Sequence, residues 1–172
     1  MLIGLDVSSS ITGYTIIEDG NIILNNVWDL RKYNDFFEKA KVIEEGIKEI
    51  ERVYGGKIRA VYIEQSLQSF KSGFSSAKTL STLSRFNGVV SWFVYDIFNI
   101  KPEYIDAKSA RKLCGIIVPK NTKAKEVVLK YLLENETNFI IEYTKHGNPK
   151  PECYDKADSI IIAKAGFIKQ NK

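Results

Sequence analysis

The sequence predicts an α/β fold in which a mixed central β-sheet carries helices on both faces. Three observations predict it. Two short apolar runs rich in branched residues, LIGLDV and IRAVYIEQ, each close on a carboxylate. An Asp19-Gly20 pair separates two alternating stretches. Later segments place apolar residues at three- and four-residue intervals. Strands joined by a hairpin are antiparallel, whereas strands joined across a helix are parallel, so the pattern implies a mixed sheet.

Taken in order, residues 1–6 form a first strand, and GYTIIEDGNIILNNV forms a hairpin of the second and third. Over residues 34–54, Phe36, Phe37, Ala40, Ile43, Ile47 and Ile50 give an amphipathic helix with an acidic outer face, stopped by Gly55-Gly56. IRAVYIEQ is a central strand ending at Glu64. A Ser/Lys/Gly-rich loop over 66–75 precedes a long helix over 76–98, apolar enough in its second half to be buried on more than one side. A short strand at Tyr104-Ile105, a helical turn over 109–113 and a helix over 122–133 follow. Residues 134–151 are polar and rich in Asn, Gly and Pro, a mobile connection with at most a short strand over 139–143. The last helix covers 154–168.

A chain of 172 residues buries one full core and is short for two, so one domain over 1–172 is expected. No apolar run approaches the ~20 residues of a membrane-spanning helix, so no membrane partner is expected. The opening reads as a strand rather than a basic leader, which predicts a cytoplasmic protein. Cys114 and Cys153 lack metal-ligand spacing and are expected to be free thiols. Net charge is +4, and its distribution is uneven. Residues 101–130 hold eight basic side chains against three acidic ones, while 34–51 hold six acidic against three basic. The basic group, which includes Lys108, Arg111, Lys112, Lys120, Lys123 and Lys125, suits contacts to DNA phosphates, although a solvated lysine-rich face would look the same.

In open α/β sheets ligands sit at the carboxyl ends of strands, where Asp6 and Glu64 fall. Asp155 and Asp158 are three apart in what reads as the first turn of the last helix, hence on one face of it. Each has an ordinary alternative: a turn residue, a surface carboxylate, a partner of the helix dipole. Together they suggest one acidic site, because clustered carboxylates raise each other's pKa and need a compensating cation. Oxygen ligands favour Mg²⁺, with Mn²⁺ as the alternative, and two such ions can support in-line hydrolysis of a phosphodiester. His146, beside Gly147 and Asn148, reads as a solvated loop residue.

These segments resemble the RuvC family of Holliday-junction resolvases. IGLDVSSSITGYTII resembles its first motif, YIEQS its second acidic motif, LSRFNGVV its long helix, and YDKADSIIIA its closing Asp-x-x-Asp-Ala, with Ser159 in the alanine position. The resemblance implies an RNase H-like fold of phage or viral type. It implies Asp6, Glu64, Asp155 and Asp158 as catalytic metal ligands, four-way junction DNA as substrate, and a homodimer joined through the long helix. Lys112 and the Lys123/Lys125 pair resemble basic positions near the scissile phosphate. Where family members often carry an aromatic wedge, this chain has Leu67, with Phe70 and Phe74 further on. Other readings stay open: a nuclease for flaps, forks or RNA/DNA hybrids, a relative of the ATPase folds that share the opening hairpin, or a non-catalytic DNA-binding protein.

Overall fold

The structure is a computed structural model and describes residues 1–65 and 77–171. Strand β1 (Leu2–Asp6) pairs antiparallel with β2 (Ile11–Glu18), which forms a hairpin with β3 (Asn21–Asp29). Helix α1 (Phe36–Tyr54) leads to β4 (Ala60–Glu64), and α2 (Ala77–Phe98) precedes β5 (Glu103–Ile105). Three helices complete the chain: α3 (Ala107–Leu113), α4 (Ala124–Asn135) and α5 (Pro151–Gln170). The sheet order is β3-β2-β1-β4-β5, with β4 parallel to both β1 and β5.

Local chemistry explains the boundaries. Asp19 and Gly20 have φ of 50° and 82°, the left-handed pair that a tight hairpin needs to match strand twist. Asp35 caps α1 by accepting from the amides of Phe37 and Glu38, and Asp106 caps α3 through Lys108 and Ser109.

Alternation along the strands sorts the core into two layers. Leu2, Ile17, Ala60 and Tyr62 pack under α3, α4 and α5. Ile3, Leu5, Ile16, Val61 and Ile63 pack under α1 and α2, against Ile43, Ile47, Phe86 and Val90. The sheet therefore has helices on both faces, as expected.

Several boundaries depart from the sequence expectation. Gly55 does not end α1 in a left-handed cap; it stays right-handed (φ −51°, ψ −47°) and a 3-10 turn over Gly55–Lys57 carries the chain to Ile58. Helix α2 is buried on one face only, through Phe86, Asn87, Val90 and Val94, and leaves Trp92 59% exposed. Residues 136–150 form no strand beyond an isolated bridge between Tyr143 and Pro149, and Phe139 is buried in the core beneath them. Helix α5 begins at Pro151, whose missing N–H costs nothing at a helix start. Asp155 and Asp158, the fifth and eighth residues of the helix, therefore lie beyond its first turn, which Glu152 occupies.

Candidate active site

Strands β1 and β4 pair in parallel with Leu2 opposite Ala60 and Gly4 opposite Tyr62. Two residues further on, the same alternation puts Asp6 and Glu64 side by side at the strand ends, on the face that α5 covers.

Helix α5 reaches that face because two strand positions beneath it, Gly4 and Gly13, lack side chains. A Cβ on Gly13 would lie 2.1 Å from the Asp155 carbonyl oxygen, and one on Gly4 would lie 2.4 Å from the Ala163 amide nitrogen. Helix backbone thus rests directly on strand backbone. A buried polar group sets the helix's rotation: the Thr15 and Ser159 hydroxyls share a 2.7 Å hydrogen bond, and Asn25 Nδ2 donates to Thr15 Oγ1 (2.8 Å) and to the Lys156 carbonyl (3.1 Å). Arg31 adds an ion pair to Glu152 and another to Asp29 (2.6 Å), tying the end of β3 to the start of α5. With the helix so fixed, the side chains of Asp155 and Asp158 are 16% and 14% exposed and face the strand ends. On the other side of β4, Asn87 of α2 donates to the Glu64 carbonyl (3.1 Å) and secures the end of that strand.

The electrostatics report one cluster. Burial, then Glu64 and Asp158, hold the Asp6 carboxyl well above the usual range. Burial and Asp158 push Glu64 up to about 7, against the pull of Lys125 and Arg111. Burial raises Asp155 to about 6, with Lys125 opposing and Asp158 adding to the rise. Burial also raises Asp158, opposed by Lys125 and Arg111. All four resist ionisation together, as expected for like charges sharing a dry site.

Among the described residues, no three Asp, Glu, His or Cys side chains converge closely enough to form a finished metal-ligand set. The Lys125 ammonium sits among them, 3.4 Å from Asp158 Oδ2 and 4.0 Å from Asp155 Oδ1. The donor set nevertheless fits a hard divalent cation: oxygen-only ligands, deep burial, and more negative than positive charge.

Of the expected basic residues, the fold brings Lys125 against the carboxylates and Arg111 near enough to lower Glu64 and Asp158. Lys125 is thus engaged by the acidic site, while its side chain stays 59% exposed. Lys108 and Lys112 line, with Arg111 and Gly115–Val118, an open cleft of about 510 Å³ in which Ile117 is 84% exposed. Lys120 and Lys123 are exposed on the surface, the latter paired with Glu126 at 3.0 Å. Leu67, Phe70 and Phe74 lie outside the described residues. His146 is exposed.

Sequence reasoning missed Asn87, Thr15 and Asn25, and marked Ser159 only by its place in the closing motif. Their signal was present: a lone amide in an apolar helix, and hydroxyls or amides at inward positions of alternating strands.

No protein-family model matches the chain, and no curated protein matches it. Solved structures do. RuvC of Thermus thermophilus in complex with a Holliday junction substrate aligns with a TM-score of 0.69 at 14% identity, over 99% of this chain and 94% of that one. A second Thermus thermophilus RuvC structure aligns with a TM-score of 0.62 at 15% identity, over 99% and 95% of the two chains. With its five-stranded mixed sheet, helices on both faces and near-complete overlap, the chain has the RNase H-like fold of the RuvC structures.

Proposed function

We propose that the protein is a divalent-metal-dependent endonuclease that resolves four-way DNA junctions. One observation carries this reading: two parallel strands in register end in Asp6 and Glu64 on the face where α5 presents Asp155 and Asp158. Asp6, Glu64, Asp155 and Asp158 would hold Mg²⁺ or Mn²⁺, two ions per site. Bound there, the metal would neutralise the scissile phosphate and supply an activated water. The chain's own part is placement: Gly4 and Gly13 admit α5, Ser159 and Thr15 set its rotation, and Asn87 secures the Glu64 strand end. Burial excludes bulk water, so each charge acts at fuller strength than on the surface.

Affinity for DNA comes from the basic surface around that site. Lys108, Arg111, Lys112, Lys120 and Lys123 meet backbone phosphates, which position the duplex without reading its sequence. The Thermus thermophilus RuvC aligned over 94% of its length was solved with a Holliday junction, and that supports the same substrate class here. The chain acts as a homodimer, since a symmetric junction presents two equivalent strands to cut. The surface that supports this is a cleft of about 570 Å³ lined by Phe36, Phe37, Arg85, Val89 and Trp92, with Phe37 77% exposed.

The test is cleavage of a synthetic four-way junction, a flap, a fork, a linear duplex and an RNA/DNA hybrid, with Mg²⁺, Mn²⁺ or chelator. Paired nicks across the junction, dependent on metal, are the expected result. Preferential cutting of the flap or hybrid would reassign the substrate, and cleavage in chelator would remove the metal.

A further inference from the structure

Lys125 is poorly placed for its own helix. It is the second residue of α4, where the helix dipole disfavours a cation, and Lys123 at the N-cap offers no side-chain cap. The acid nearby in sequence, Glu126, is engaged by Lys123 at 3.0 Å. What holds the Lys125 ammonium is the far end of the chain, Asp158 at 3.4 Å and Asp155 at 4.0 Å. A local rule broken in favour of a distant contact marks a functional position.

The partners differ in freedom. The carboxylates are 14–16% exposed and fixed by α5, whereas the Lys125 side chain is 59% exposed on a flexible four-carbon stem. An ammonium and a divalent ion cannot both take the Asp158 oxygens at such separations without strong repulsion. When a second cation enters, the lysine is the member free to leave.

From this geometry we infer that Lys125 is an exchangeable counter-ion: its ammonium holds the Asp155 and Asp158 end of the site until a divalent ion takes it, and the released ammonium then meets a DNA phosphate. The inference rests on the metal-site reading above. Its consequence is positive coupling, because metal frees a phosphate contact and DNA holds the lysine away from the metal ligands. Lys125 is a positioning residue in the first state and a substrate contact in the second.

The test is Mg²⁺ binding by calorimetry to the full-length protein and to Lys125→Gln, without DNA, followed by junction binding across a salt titration in Ca²⁺ or chelator. The variant is expected to bind Mg²⁺ about tenfold more tightly, within the usual range of coupling between two ligands. Its log–log salt slope should fall by about 0.9 in Ca²⁺ and stay unchanged in chelator. In the wild type, the Nζ-adjacent carbon signal of Lys125 by NMR should shift on adding Mg²⁺, which tests the exchange without a variant. Equal or weaker Mg²⁺ binding by the variant, the same slope change in both conditions, or a Lys125 signal that Mg²⁺ leaves in place would each overturn the exchange. A wild-type protein that binds no Mg²⁺ would overturn the metal site itself.

Discussion

The two faces of the sheet are built by opposite means. Under α1 and α2 the contact is made by volume, with Ile43, Ile47, Phe86 and Val90 filling the space above Ile3, Leu5 and Ile63. Under α5, beside the packing of Leu2, Ile17 and Tyr62, it is also made by removing side chains, with Gly4 and Gly13 admitting helix backbone onto strand backbone. The first arrangement tolerates exchange of one apolar side chain for another, because neighbours can repack. The second fixes α5 in one position, and the acidic cluster depends on that position. The charge follows the same division. The basic segment, with Arg111 and Lys125, lies on the α5 side, while α1 carries the acidic run on the other side beside the exposed Phe37 and Trp92. In the proposed function, DNA and a partner subunit would meet different faces.

The largest expected effect tests this contrast directly. Gly13→Val should cost more than about 4 kcal/mol or prevent folding, since its side chain would occupy the Asp155 carbonyl. Ile43→Val, fully buried on the other face, should cost only about 1 kcal/mol. Similar losses by urea unfolding would erase the distinction. Next in size is association: Trp92→Glu should convert a dimer to a monomer in sedimentation while leaving the fold intact by circular dichroism. A wild type that sediments as a monomer at micromolar concentration, free and on DNA, would remove the partner face.

The pH dependence of stability is a subtler probe of the α5 side. Glu64 titrates at about 7 in the folded protein against an ordinary 4.5, and Asp155 at about 6 against 3.8. Between those values the folded state binds more protons than the unfolded one, so these groups make stability fall as pH rises from about 4 to about 7. In chelator, Glu64→Gln should flatten that fall, and Mg²⁺ should do the same for the wild type. An identical slope for variant and wild type would show that Glu64 is not strained. The smallest effect belongs to the outer lysines. Lys112→Ala and Lys123→Ala should each lower the salt slope of junction binding by about 0.9, equally for every junction sequence. A loss that varies with sequence would indicate base readout instead.

Much of this was legible in the sequence because it is local. The hairpin follows from Asp19-Gly20, and Asp6 and Glu64 stand where apolar runs end. Asp155 and Asp158 were placed on one helix face by their spacing alone. What was not legible depends on contacts across long separations. Nothing near Lys125 indicates that Asp155 and Asp158, thirty or more residues later, would hold it. Pro151 looked like loop punctuation, although at a helix start it costs nothing. The apolar second half of α2 reads as buried on more than one side, whereas the fold buries one face of it, because apolar content alone does not say which residues the sheet covers.

In the proposed function, the four carboxylates form the catalytic site while the basic surface supplies affinity. Asp6→Asn and Glu64→Gln test it most directly, assayed on the same four-way junction for cleavage in Mg²⁺ and for binding in Ca²⁺. Each variant should lose cleavage by at least about a thousandfold, corresponding to about 4 kcal/mol of transition-state stabilisation, and should bind the junction as the wild type does. Full cleavage by either variant would contradict the account.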